Sequence, residues 1–135
     1  MRSTMRGTGS YLPRKILSND DLTSFLETSD EWIRSRTGIR QRHCVDKSAN
    51  ETTATMALTA AQNALTMAKL DASELDLIIV ATVTPDHRLP SVSCMLQESL
   101  NAVNAAAFDI SAACAGSIYA LSVADSFIRA GKYKN

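Results

Sequence analysis

Cys114 is the side chain best placed to do chemistry. It stands in Ser111-Ala112-Ala113-Cys114-Ala115-Gly116, after the apolar run 105–110 and before a long apolar stretch of helical character. Strand, bend of small residues, then helix leaves almost no bulk beside the sulfur, so a substrate can approach. A cysteine at or just before a helix N-terminus meets unpaired backbone N–H groups and the positive end of the helix dipole. Negative charge is favoured there, which stabilises a thiolate and makes the sulfur reactive near neutral pH. The same N–H groups can hold the oxyanion of a tetrahedral intermediate. Against this stands the commoner fate of a free cysteine among alanines, a small residue packed in a core. The residues alone leave both readings open. Cys44 and Cys94 have no comparable setting and are expected to be structural.

The second candidate is the only dense basic stretch, Arg34, Arg36, Arg40, Arg42 and His43, with Trp32 just ahead of it. Guanidinium groups recognise phosphates well, and an indole presents a flat apolar face with a polar edge. The plainer reading is a solvated basic face and a tryptophan packed on the body of the protein. His87, in Thr84-Pro85-Asp86-His87-Arg88-Leu89-Pro90, is not barred by spacing from forming a dyad with Cys114. In a turn between Asp86 and Arg88 it is expected to face solvent instead. Three widely spaced cysteines suit neither a disulfide framework nor a zinc site, and His43 and His87 do not form an HxxxH pair, so no metal is expected.

These side chains need elements to position them. Met5 to Tyr11 reads as a short first strand, stopped at Leu12-Pro13. Ser18 and Asp21 have capping-box spacing for a short helix through Glu27, and Thr28 and Glu31 repeat it for a second helix carrying Trp32 and Ile33. Gly38 is suited to end that helix in the left-handed conformation. Ser48 and Glu51 form a further capping box ahead of a helix with Ala57, Ala61, Ala64, Leu65 and Ala68 at helical spacing.

Leu77 to Ala81 is a continuous apolar run between Asp76 and Thr84-Pro85-Asp86, the pattern of a parallel strand buried on both faces. Pro90 is expected to open a helix through Leu100, and Ala105 to Ile110 to form a second buried strand. After the bend Ser111 to Ser117 comes a helix through Ala130, closed by Gly131. Ile118, Leu121, Val123, Ala124, Phe127 and Ile128 spread around much of its circumference, which predicts a helix covered on every side. Strands alternating with helices give an α/β fold.

Composition narrows the classes. The 135 residues are 45% hydrophobic and 21% charged, and Lys+Arg and Asp+Glu are both 14. A net charge of zero does not ask for a nucleic acid. The first residues hold no apolar signal stretch, and the longest apolar run falls far short of the roughly 20 residues of a membrane helix. A cytoplasmic protein, with neither nucleic acid nor membrane as partner, is the expectation.

Asp109-Ile110-Ser111-Ala112-Ala113-Cys114-Ala115-Gly116-Ser117-Ile118-Tyr119-Ala120-Leu121 resembles the active-site segment of the ketoacyl-ACP synthase III family. Thr28-Ser29-Asp30-Glu31-Trp32-Ile33 with Arg36-Thr37-Gly38-Ile39-Arg40 resembles the family's other N-terminal signature, and Leu77 to Pro85 its strand and turn. The resemblance covers nearly the whole chain. It implies a thiolase-like fold, here an incomplete N-terminal half made of a mixed sheet flanked by helices, with a buried nucleophile helix and the C-terminal half absent. About three of that half's five strands would be present.

The resemblance also implies condensation of acyl-CoA, acetyl-CoA above all, with malonyl-ACP to start fatty-acid chains. Cys114 would carry the acyl group, and the carbanion left when malonyl-ACP loses carbon dioxide would attack that thioester. It carries CoA contact onto Thr28, Trp32 and Arg36, and a pocket-lining role onto Leu89. Many relatives have a bulkier aromatic at Leu89 and at Ser117. It implies a homodimer, with the Leu89 loop reaching the acyl pocket across the interface, and no cofactor, since acyl-CoA is a substrate. The family's histidine and asparagine, which stabilise the carbanion, belong to motifs of the second half, so this chain alone is expected to be inactive. Two other readings remain: a related condensing or acyl-transfer enzyme of secondary metabolism, and a non-catalytic fragment that binds CoA or a partner half.

Overall fold

Leu77–Ala81 and Ala106–Ile110 are the two apolar runs with no helical periodicity, and they pair as parallel strands in register from Leu77 opposite Ala106 to Ala81 opposite Ile110. Thr82 extends the ladder, its N–H donating to the Ile110 carbonyl at 3.1 Å. The computed structural model describes residues 3–135. In chain order the elements are β1 (Lys15–Ser18), α1 (Asn19–Thr23), α2 (Asp30–Thr37), β2 (Gln41–Cys44), α3 (Thr53–Ala68), β3 (Leu77–Ala81), α4 (Val92–Ser99), β4 (Ala106–Ile110) and α5 (Gly116–Arg129). Short 3-10 turns occupy Lys47–Ala49, Ala72–Glu74 and Ala113–Ala115. The chain divides into two units, Leu12–Thr52 and the N-terminal stretch through Tyr11 together with Thr53–Asn135.

In the larger unit α4 packs against α3, β3 and β4, and α5 packs on β3 and β4. Ala54, Ile78, Val92, Leu96, Ala102 and Ala105 form its core. Residues 5–11 are not a strand. The stretch lies along α3, with Asn63 donating to the Ser10 carbonyl at 3.1 Å and Arg6 to the Ala68 carbonyl at 3.3 Å. A strand needs a neighbour for its ladder, and here the backbone comes up against a helix instead. Gly7 and Gly9 permit the approach, since a Cβ on either would run into the α3 backbone at Ala64 and Ala60. The expected single mixed sheet is therefore two separate ladders, parallel β3–β4 and antiparallel β1–β2.

The α5 helix also departs from expectation. One side packs on the sheet, while Ile118, Tyr119 and Leu121 are 64%, 56% and 56% exposed. Its apolar circumference asks for cover on every side, and among the described residues these three side chains stay largely uncovered.

The smaller unit is held by Asn19, which is 1% exposed. Its amide donates to Asp30 Oδ1 and to the Ile39 carbonyl, both at 2.8 Å, and its Oδ1 accepts from Arg42 at 2.7 Å. One buried side chain thus ties the start of α1 to α2 and β2. The bond from Asn19 is the largest cause holding the Asp30 carboxyl below its ordinary value; burial opposes it, and Arg34 adds to it. The link is complete above the ordinary carboxylate range and is lost as pH falls through the lowered value. Asn19→Ala is expected to destabilise this unit by about 2–4 kcal/mol, because it strands buried donors and acceptors. Urea unfolding followed by fluorescence of Trp32, the only tryptophan, measures the loss; an unchanged midpoint would disprove it.

Candidate active site

The β4 strand delivers the chain to a turn that ordinary backbone geometry does not favour. Ala112 has φ −144° and ψ 29°, and Ala113 stands at φ 45°, in the left-handed region. Holding an alanine there costs on the order of 1 kcal/mol. The result is an abrupt change from strand to helix, with Cys114 in the intervening turn, free and exposed. Gly116 makes the next step possible. A Cβ there would come within 3.2 Å of the Ala81 Cβ, so glycine lets α5 start hard against β3. No side chain caps α5 or the turn before it, and such uncapped ends leave backbone donors for a ligand.

Cys94, in α4, and Cys44, in β2, are both partly buried. His87 is exposed, as its turn suggested. Leu89, in the same loop, is 86% exposed and precedes a cis Pro90.

The second candidate group lies on α2. Ser29, not Thr28, is the N-cap: it has extended backbone, and its hydroxyl accepts from the Trp32 N–H at 3.0 Å. Ser29 directly precedes the first helical residue, which puts its side chain, rather than that of Thr28, within reach of the free N–H groups. The Thr28 hydroxyl is left buried without a hydrogen-bond partner. It borders a cleft of about 590 Å³ shared with Leu22, Leu26, Ser29, Trp32 and Ile33. Trp32 is 57% exposed, and the Arg36 guanidinium sits 5.7 Å from its ring centroid. Thr28, Trp32 and Arg36 are thus gathered at one helix of the smaller unit, while Cys114 and Leu89 belong to the larger. The cleft is lined by Thr28, the Trp32 indole and the Glu27 side chain, and Arg36 lies beside it, against the indole.

Other local expectations shift slightly. The Ser18–Asp21 capping box forms, but its helix stops at Thr23 rather than Glu27. Gly38 takes φ 73° and ends α2 as expected. The Ser48–Glu51 box does not form: Ser48 bonds Asp46, and buried Glu51 accepts from the Asp46 N–H at 2.7 Å. The α4 helix begins after Ser91, whose hydroxyl accepts from Cys94 N, rather than at Pro90.

Two residues carry much of the local order and were not singled out from the sequence. The Asp86 carboxylate accepts from Thr53 N and Ala54 N at 2.9 and 2.7 Å, capping α3. The Asp109 carboxylate accepts from Val92 N and Ser93 N at 3.0 and 2.9 Å, capping α4. Asp109 had a usable signal, being a charge inside an apolar strand run that must find donors. Asp86 had none, because its partners lie more than thirty residues away.

The family model of 3-oxoacyl-[acyl-carrier-protein] synthase III matches residues 108–135, the segment that holds Cys114. A β-ketoacyl-[acyl-carrier-protein] synthase III of Xanthomonas campestris is 53% identical over 132 residues, which is 98% of this chain and 40% of that protein. The crystal structure of 3-oxoacyl-[acyl-carrier-protein] synthase III from Aquifex aeolicus superposes with a TM-score of 0.91 at 53% identity, over 96% of this chain and 41% of that one. A priming β-ketosynthase of a polyketide pathway superposes with a TM-score of 0.90 at 37% identity, over 99% of this chain and 41% of that one. The chain spans about 40% of the length of the curated relatives it matches. The motifs, the strand–turn–helix around Cys114 and the superposition agree: the chain is similar to the N-terminal part of β-ketoacyl-ACP synthase III proteins and has part of their thiolase-like α/β fold.

Proposed function

We propose that this chain supplies the acyl-accepting cysteine and part of the CoA site of a β-ketoacyl-ACP synthase III that starts fatty-acid chains. The observation that carries the reading is Cys114, exposed at the uncapped start of α5 within the segment matched by the family model. The Cys114 thiolate attacks the acyl-CoA carbonyl, and the tetrahedral oxyanion is held by backbone N–H groups at the helix start. Collapse of the intermediate breaks the C–S bond to CoA, which leaves as the thiol after taking up a proton. Malonyl-ACP then loses carbon dioxide, and the resulting carbanion attacks the Cys114 thioester. That C–S bond breaks, releasing ketoacyl-ACP and restoring the thiolate.

The chain acts here as a partial N-terminal thiolase-like domain, and the donors that stabilise the carbanion come from the part of the family fold beyond it. The complete enzyme works in the cytoplasm as a homodimer, with acyl-CoA and malonyl-ACP as substrates and no cofactor. No helix among the described residues is long and apolar enough to cross a membrane. Supplying the full-length protein with acetyl-CoA and malonyl-ACP and assaying ketoacyl-ACP tests the reading; no product, with Cys114 unacylated, would refute it.

The cleft on α2 receives the CoA moiety: Trp32 stacks on the adenine, Arg36 meets phosphate, and Thr28 donates its unpartnered hydroxyl. Trp32→Ala and Arg36→Ala in the full-length protein are expected to raise KM for acyl-CoA several-fold with little change in kcat, because they remove binding remote from the reacting atoms. Wild-type KM in both variants would reduce the group to a solvated basic face. A second reading, priming of a secondary-metabolic pathway, is favoured by the likeness to the polyketide priming ketosynthase. A profile of acyl-CoA chain lengths separates the two.

A further inference from the structure

The turn that carries Cys114 has little support of its own. Within it the Ala115 N–H donates to the Ala112 carbonyl at 3.0 Å, and the Gly116 N–H donates to the Ala113 carbonyl. No side chain caps the turn or the helix that follows. Ala113, at φ 45°, holds a conformation that an L-residue keeps only when its surroundings impose it. The turn therefore depends on where its two ends are fixed, and both ends meet one residue. At the near end Ile110, the last residue of β4, is the strand partner of Ala81, and its carbonyl accepts from the adjoining Thr82 N–H at 3.1 Å. At the far end Gly116 packs so closely on Ala81 that a Cβ at position 116 would stand 3.2 Å from the Ala81 Cβ. The last residue of β3 is thus the common rest for the end of β4 and the start of α5.

We propose that Ala81 is a positioning residue for Cys114: its methyl group sets how far the start of α5 stands from the end of β4, and so where the sulfur is held. This deepens the acyl-transfer reading and rests on it. Ala81 acts through the backbone of the turn, not on the acyl group. One methyl fits between the strand and the helix. A second, on Gly116, forces the two apart by a few tenths of an ångström, and the absence of both leaves the helix start without a stop. Attack on a thioester carbonyl needs a sulfur placed for reaction, and a misplacement of about 1 Å costs on the order of a hundredfold. A shift of a few tenths is felt as a few-fold loss of rate, with binding untouched.

The test is a contact swap in the full-length protein. It measures the maximal rate of Cys114 acetylation and the acetyl-CoA concentration that gives half of it, well below each variant's melting temperature. Gly116→Ala puts two methyls where one fits, and Ala81→Gly removes the one present. Each is expected to lower the maximal rate by about threefold or more, with the half-saturating concentration held within about twofold. Ala81→Gly/Gly116→Ala moves the methyl from strand to helix, and is expected to regain most of what either single variant loses. Gly116 has φ −55° and ψ −44°, which alanine adopts without strain, so the backbone gives Gly116→Ala no reason to melt earlier. A merely structural Ala81 would lower the melting temperature and leave the rate of the folded molecules unchanged, and that result would overturn the proposal. So would losses that multiply in the double variant. If a single variant does not fold, Ala81→Val, whose branched side chain suits a strand, is expected to lower the maximal rate in the same way; an unmoved rate there overturns it too. Absence of any acetylation in the unsubstituted protein refutes the acyl-transfer reading together with this one, whereas an active protein indifferent to the swap refutes this one alone.

Discussion

Cys114→Ala in the full-length protein is expected to lower acyl transfer from acetyl-CoA by at least about a thousandfold, the scale on which removal of a nucleophile is usually felt. The sulfur is exposed, so a thioester can reach it. The left-handed Ala113 and the close packing of Gly116 on Ala81 turn the chain so that the sulfur stands at the mouth of α5. The start of that helix is uncapped by any side chain, which leaves backbone donors for the developing oxyanion. Cys44 and Cys94 share none of this and are partly buried. Incubation with acetyl-CoA followed by peptide mass spectrometry should place the acetyl group on the peptide containing Cys114. Stable acylation of Cys44 or Cys94, with Cys114 unmodified, would sink the assignment. So would full activity in Cys114→Ala.

The 135-residue chain produced by itself is expected to make no ketoacyl-ACP and to show no cooperative, monomeric unfolding transition. Decarboxylation of malonyl-ACP needs preorganised donors for the carbanion, and losing one typically costs about a hundredfold or more. The two histidines of the chain do not offer themselves for this: His43 Nδ1 is engaged with the Pro13 carbonyl, and His87 points into solvent from its turn. Ile118 and Leu121 of α5 stand largely in water. Burial of each is worth roughly 1.5–3 kcal/mol, so the pair leaves unrealised an amount comparable with much of the ~5–15 kcal/mol net stability of a domain. Thermal unfolding, light scattering and an assay of the isolated chain measure both halves of the expectation. A sharp monomeric transition together with condensation would show that the donors lie within these residues after all.

What the amino-acid sequence determined by itself is whatever depends on neighbours within a few positions. The β3 strand comes at Leu77–Ala81 as its apolar run predicts, but it is not buried on both faces: only Ile78 is buried, while Leu77, Ile79 and Ala81 border a cavity shared with α5. The α3 helix follows its alanine periodicity, the Ser18–Asp21 box closes, and Gly38 supplies a left-handed end. Cys114 at the mouth of α5 was legible for the same reason: small residues, a strand before and an apolar helix after all lie within one short window. Tertiary structure alone decided where long-range partners meet. Asp86 reaches the N-terminus of α3 across 33 residues and Asp109 that of α4 across 17, so Ser48 and Glu51, which had the right local spacing, were not needed as a cap. Asn19 is an ordinary helix-start residue by type, and only the convergence of Asp30, Ile39 and Arg42 makes it the buried centre of its unit. The stretch 5–11 has strand-forming residues but no strand beside it, and its glycines lay it along α3 instead. Local periodicity fixes what an element is, because helix and turn bonds close within a few residues. Which polar group finds which partner depends on surfaces brought together from far along the chain, and no short window of sequence contains that information.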